Sequence, residues 1–126
     1  MSPPVRVVLV EDNKVFREAL ELLLGLESGI EVVGWADNGS DAAAAVTAND
    51  PEVVLLDYRL PGMDGVQATR AIKEAAPDVA VICLTASVTR REIAALLEAG
   101  AVACLMKDEE LDRIVDTVKR AAGRAG

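Results

Sequence analysis

Five side chains in this 126-residue sequence carry chemistry, and each stands at the end of an aliphatic run. Glu11 and Asp12 follow VRVVLV, Asp57 ends EVVLLD, Thr85 ends VAVICLT and Lys107 follows AVACLM. Together they offer three carboxylates, a hydroxyl and an ammonium. Oxygen donors of this kind suit a hard cation such as magnesium. The chain has no histidine, which removes imidazole ligands, serine–histidine triads and histidine acid–base catalysis. Taken singly, each residue also has a plain structural role. Asp12 or Asn13 can cap a helix, Thr85 has ordinary strand propensity, Lys107 can reach for solvent, and Asp57 can cap the Leu-Pro-Gly turn that follows it. Their joint occurrence at corresponding ends of successive runs is what points to a site.

The aliphatic runs at 5–10, 30–36, 52–57, 79–85 and 101–106 read as strands. Short apolar runs closed by charges or turn residues fit strands buried on both faces. Helical patterns fill the intervals. Val15, Ala19, Leu22, Leu23 and Leu26 predict one apolar face for the first helix, and Leu111, Ile114, Val115 and Val118 follow i, i+3, i+4, i+7 spacing in the last. Ile93, Leu96 and Leu97 on the fourth helix read as core, with Leu97 a dimerisation candidate should it prove exposed. Asn38 or Ser40 is the expected cap of the second helix and Asp64 of the third. Thr89 caps the fourth, with Glu92 completing a capping box, and Gly100 ends it.

Five strands alternating with five helices imply right-handed crossovers and an α/β fold. The expected arrangement is a doubly wound five-stranded parallel sheet, order 2-1-3-4-5, a flavodoxin-like (βα)5 unit. Strands one, three, four and five are then neighbours, and ligands bind at their carboxyl ends near the switch point in strand order. The five residues converge on one crevice.

Composition narrows the function. Thirteen basic against 21 acidic residues give a net charge of −8, which argues against a domain that grips nucleic acid through a basic face. No apolar run approaches the roughly 20 residues of a membrane span, and MSPPVRVVLVEDN lacks the features of a signal peptide. Cys83 and Cys104 sit in apolar runs and read as small buried hydrophobes rather than a disulfide. The expected location is the cytoplasm. One domain is expected over 5–121, with tails at 1–4 and 122–126.

With VVLVEDNKVFREALELLL, LLDYRLPGMDG, LTAS and the late Lys107 in order, the sequence resembles the receiver domains of two-component response regulators from residue 5 to about 121. Lys107-Asp108, with Gly-Ala shortly before, resembles the receivers attached to LuxR/NarL-type helix-turn-helix domains. The resemblance implies that Asp57 is the phosphoacceptor and that Glu11, Asp12, Asp57 and the backbone carbonyl of Arg59 serve magnesium, Glu11 through water. It also implies that Thr85 meets the phosphoryl group and Lys107 is its positive partner. The implied partners are a histidine kinase or phosphotransfer protein, met through helix one and the 58–63 loop. A homodimer is a further candidate assembly, through Leu97 should it prove exposed. Elementary chemistry agrees: a carboxylate of ordinary pKa near 4 is ionised at neutral pH and attacks without a general base. Its difficulty is repulsion from the phosphoryl group, which a cation and a lysine relieve.

Three features depart from the common receiver pattern. Cys104 stands three residues before the lysine, where many receivers carry an aromatic switch residue. Asp108 stands where many have a cis proline, so a trans bond is expected here. No helix-turn-helix domain follows, so the chain reads as a stand-alone receiver or as part of a longer regulator. Competing functions fit less well. Haloacid-dehalogenase-type phosphohydrolases need a second aspartate two residues after the nucleophile, and Arg59 stands there. Flavodoxin would want a hydroxyl-rich loop where EDNK offers acids. A receiver-like interaction module that is never phosphorylated remains the alternative, and the complete set of five residues argues against it.

Overall fold

Alternation along each strand divides the aliphatic side chains between two cores, and the helices cover both. The computed structural model describes residues 3–124. Its elements run β1 (Val5–Val10), α1 (Lys14–Gly25), β2 (Ile30–Ala36), α2 (Ala42–Asn49), β3 (Val53–Leu56), α3 (Gly65–Ala75), β4 (Ala80–Thr85), α4 (Arg90–Ala99), β5 (Ala103–Met106) and α5 (Leu111–Ala121). The sheet is parallel, in the order β2-β1-β3-β4-β5. Val7, Leu9, Val53 and Leu55 face α1 and α5, while Val8, Val10, Val54 and Leu56 face α2, α3 and α4. Parallel strands sandwiched in this way have no solvent face, which is why they read as unbroken apolar runs.

The expected order and element succession hold, with local differences. β3, β4 and β5 are one or two residues shorter at their ends than the expected 52–57, 79–85 and 101–106. Ala101 belongs to the turn after α4, its N–H donating to the Leu96 carbonyl. Asp64 and Thr89 cap α3 and α4 with full capping boxes through Gln67 and Glu92. Gly100 ends α4 at φ +117°, and a Cβ there would also meet Lys73 Cγ at 3.0 Å. The cap of α2 is not Asn38 or Ser40 but Asp41, which makes no side-chain cap bond. Asn38 instead accepts from the Asp41 N–H, closing a turn ahead of the helix. Lys107–Asp108 is trans, as no described peptide bond is cis. The expected tails at 1–4 and 122–126 lie partly outside the described residues. No helix among the described residues is long and apolar enough to cross a membrane.

One expectation fails outright. The predicted inner face of α1 points to solvent: Val15, Leu22, Leu23 and Leu26 are all exposed, while Arg17, Leu20 and Leu24 are buried. The helix is apolar on two sides, and the longer stripe is the outer one. On α4, Leu96 is buried and Leu97 is 49% exposed. α5 buries Ile114, Val115 and Val118 as its spacing requires.

Deleting buried methyl groups costs both transfer and cavity terms. Leu24→Ala is therefore expected to lose about 2–5 kcal/mol in urea unfolding. Leu22→Ala, two residues earlier on the outer face, should stay within about 0.5 kcal/mol. Equal losses at the two positions would return the outer stripe to the core.

Candidate functional site

The carboxyl ends of β1, β3, β4 and β5 deliver their polar residues to one edge of the sheet. The Asp57 N–H donates to the Val10 carbonyl at 3.0 Å, extending the β1–β3 ladder one residue beyond the strand. The Lys107 N–H donates to the Thr85 carbonyl at 2.9 Å and does the same for β4 and β5. Glu11 and Asp57 are buried and Asp12 is exposed. One carboxylate oxygen from each of these three residues lies within 4.8 Å of the others. Lys107 Nζ enters this cluster, 2.6 Å from Glu11 Oε1 and 3.2 Å from Asp57 Oδ2. The ammonium also stands 4.5 Å from the centroid of the Phe16 ring, within cation–π range.

Burial is the largest influence on both partners of the shortest contact. It raises the Glu11 pKa against the hydrogen bonds from Lys107 and the Asn13 N–H, with the Asp57 charge adding to the rise. For Lys107, burial favours the neutral amine but is outweighed by the Glu11 hydrogen bond and the charges of Asp57 and Glu11, so its pKa is raised. The ammonium is held as an ammonium by the acids around it.

The loops complete the frame. Asn13 caps α1 by accepting from the Phe16 N–H, and Glu11 Oε2 accepts from the Asn13 N–H at 3.0 Å. The loop after β3 closes when the Gly65 N–H donates to the Tyr58 carbonyl at 2.8 Å. A Cβ on Gly65 would stand 2.8 Å from the Tyr58 Cα, so that approach needs glycine. The Arg59 N–H donates to Asp57 Oδ1 at 3.3 Å, and its guanidinium forks onto both Glu92 oxygens at 3.1 Å.

The edge thus gathers Glu11, Asp12, Asp57 and Lys107 as the sequence predicts. It does not gather the Thr85 hydroxyl: that group is buried and donates to the Ser87 carbonyl at 3.3 Å, within the loop before α4. Cys83 and Cys104 are register partners on β4 and β5 and are both free thiols. Burial pushes both pKa values up, so neither is a thiolate at neutral pH. Sequence reasoning missed Arg17, whose Nη1 donates to the Glu11 carbonyl at 2.9 Å, and the Arg59–Glu92 fork. The first was hidden because the apolar pattern of α1 assigns position 17 to no single face.

An all-oxygen acidic set with one member open to solvent suits a hard divalent cation. A lysine among the same oxygens suits an anion arriving beside it. Comparison with known proteins agrees with this chemistry. Residues 7–119 match the family described as response regulator receiver domain. The chain is 32% identical over 118 residues to the transcriptional regulatory protein LiaR of Bacillus subtilis, covering 94% of this chain and 56% of that protein. It is 31% identical over 118 residues to DegU of Brevibacillus brevis, covering 94% and 50%. It therefore spans about half the length of these curated relatives. The signal receiver domain of NarL from Mycobacterium tuberculosis superposes with a TM-score of 0.91 at 36% identity, covering 97% of this chain and 98% of that one. The chain belongs to the response regulator receiver domain family, and its relatives are regulators of the NarL/LuxR class.

The raised Lys107 pKa has a consequence for stability. The folded chain holds this proton more tightly than the unfolded chain does, so the stabilisation is complete below the ordinary value of 10.5 and is lost as pH rises through the raised one. The urea midpoint of the wild-type chain is expected to fall more steeply than that of Lys107→Met as pH rises above the ordinary lysine value of 10.5. Parallel slopes would mean that the two carboxylates do not hold the ammonium in solution.

Proposed function

We propose that the chain is the phosphoacceptor switch of a two-component system, in which Asp57 takes a phosphoryl group from a histidine kinase or phosphotransfer protein. The observation that carries this reading is Lys107 Nζ standing 2.6 Å from Glu11 and 3.2 Å from Asp57, inside a carboxylate cluster 4.8 Å across. Carboxylates this close repel one another and would repel an incoming phosphoryl group, so they need positive charge from more than one source. Glu11, Asp12, Asp57 and the backbone carbonyl of Arg59 would hold magnesium. When bound, the ion supplies charge to the phosphoryl oxygens and relieves that repulsion.

The chain's own residues do the rest. Asp57 is held at its backbone by its N–H on β1 and at its carboxylate by the Arg59 N–H and Lys107, so the nucleophile is aimed in advance. One of its oxygens attacks phosphorus, the P–N bond of the donor phosphohistidine breaks, and the electron pair stays on the imidazole. The aspartyl phosphate carries close to two negative charges and three acceptor oxygens. Lys107 pairs with one of them. Thr85 can donate to another only by leaving the Ser87 carbonyl, which draws on the loop before α4. Phosphorylation then shifts the population of the α4–β5–α5 face.

Receiver domains are signalling modules rather than enzymes that turn over an external substrate, and Arg59 stands where a phosphohydrolase would need a second aspartate. The matched segment is about half of relatives named as transcriptional regulatory proteins, which supports a transcriptional output through a further domain. A phosphorylation-independent interaction module would not need the complete set of acids and lysine.

Intact mass after incubation with acetyl phosphate tests the chemistry. One magnesium-dependent phosphoryl adduct is expected, and none on Asp57→Asn. An adduct that survives in Asp57→Asn would overturn the choice of nucleophile. Magnesium alone should also stabilise the fold, by about 2.7 kcal/mol at a hundred times its Kd. That gain should vanish in Asp12→Asn; a chain that gains nothing from magnesium would overturn the metal site.

A further inference from the structure

We infer that Arg17, braced by the ring of Trp35, is a positioning residue that fixes the Glu11–Asp12 turn for cation binding. The inference rests on the magnesium-binding reading of the site. Arg17 is 7% exposed and sits on the core face of α1 with Leu20 and Leu24. Among the described residues it has no carboxylate within ion-pair distance. A buried guanidinium without a counter-ion is costly, and a methionine or leucine would fill the same volume at less expense. What neither could do is donate to the Glu11 carbonyl, as Arg17 Nη1 does at 2.9 Å.

That carbonyl belongs to the peptide joining Glu11 to Asp12. The peptide on the other side of Glu11 is fixed as well, since its N–H donates to the Ala36 carbonyl at 3.0 Å. Both peptides flanking Glu11 are thus tied to the last two residues of β2, directly through Ala36 and indirectly through Trp35. Asp12 needs this frame more than its neighbours do. It is exposed, and among the described residues no side-chain hydrogen bond or ion pair orients its carboxylate. Its aim depends on the backbone beneath it.

Trp35 reaches Arg17 because of a register shift. β1 pairs Val7 with Val32 but Val8 with Gly34, so one residue of β2 is passed over. A one-residue slip exchanges the two faces of a strand. Trp35 is thereby paired with Leu9, which faces α1, instead of turning toward α2. The guanidinium carbon of Arg17 lies 4.1 Å from the ring centroid, so the indole covers the cation from the solvent side. The ring itself is 49% exposed, too open for core packing to account for it.

Magnesium titrations by calorimetry on the wild-type chain, Arg17→Lys, Arg17→Met and Trp35→Ala test the assignment, with Trp35 emission recorded in parallel. Outer-shell partners of metal ligands are commonly worth tenfold or more in affinity, so both Arg17 variants are expected to weaken the magnesium Kd by about tenfold. Trp35→Ala should move it in the same direction. Arg17→Lys keeps the charge but cannot lie flat on the indole while donating, so it should not rescue. Trp35 is the only tryptophan. Its emission should change saturably with magnesium in the wild-type chain and stay flat in Arg17→Met. If Arg17→Met does not fold, Trp35→Ala decides, because a half-exposed ring can be removed without opening the core. Unchanged Kd values in folded variants would overturn the positioning role alone. A wild-type chain that binds no magnesium would overturn the site reading together with it.

Discussion

Two buried carboxylates and a third beside them have to coexist at the rim of an aliphatic core, and this constraint organises the whole carboxyl edge of the sheet. Burial raises the Glu11 pKa, with the Asp57 charge adding to the rise. Lys107 opposes that rise with a hydrogen bond and a positive charge. It can do so only because β5 runs parallel to β4 and ends at the same level, with its N–H on the Thr85 carbonyl. Strand order is therefore an electrostatic matter here. An order that moved β5 away from β3 and β4 would leave Glu11 and Asp57 facing each other without a cation. The Phe16 ring closes the remaining side of the ammonium, which ties the first turn of α1 to the same charge balance.

The sequence was legible wherever one force acted alone. Val53 to Leu56 are buried on both faces, so burial wrote a continuous apolar run, and the ion at Asp57 marked its end. The capping boxes of α3 and α4 are local contacts between residues three apart, and the spacing showed them. α1 failed because two apolar faces compete. Val15, Ala19, Leu22, Leu23 and Leu26 form a better helical stripe than Leu20 and Leu24, yet the shorter set meets β1 and β2. Periodicity fixes the phase of a helix only when one face is polar. That ambiguity also hid Arg17, since a charge seems misplaced only once the inner face is known.

Other features depended on the fold rather than on local pattern. The Arg59–Glu92 fork joins residues 33 positions apart, and nothing in either neighbourhood announces the other. The Thr85 hydroxyl was expected among the acids, and its type and strand position were read correctly. Its direction depends on the Ser87 carbonyl, a backbone atom whose place is set by the loop and not by any residue type. Side-chain identity gives what a residue is able to do; backbone geometry gives what it is doing in this state.

That distinction bears on how a change at Asp57 can reach α4 when Cys104 replaces the bulky ring found in many receivers. The contacts available are polar ones. Arg59 donates from its backbone to Asp57 and from its side chain to Glu92, and Glu92 is the third residue of the α4 capping box, accepting from the Thr89 N–H at 2.8 Å. Thr85 reaches the same loop through Ser87. Both routes therefore arrive at the first turn of α4, where Glu92 serves the capping box and the Arg59 fork at once. With a small thiol at 104, the contacts that join Asp57 to α4 are hydrogen bonds and charges at the helix N-terminus rather than a bulky side chain of β5.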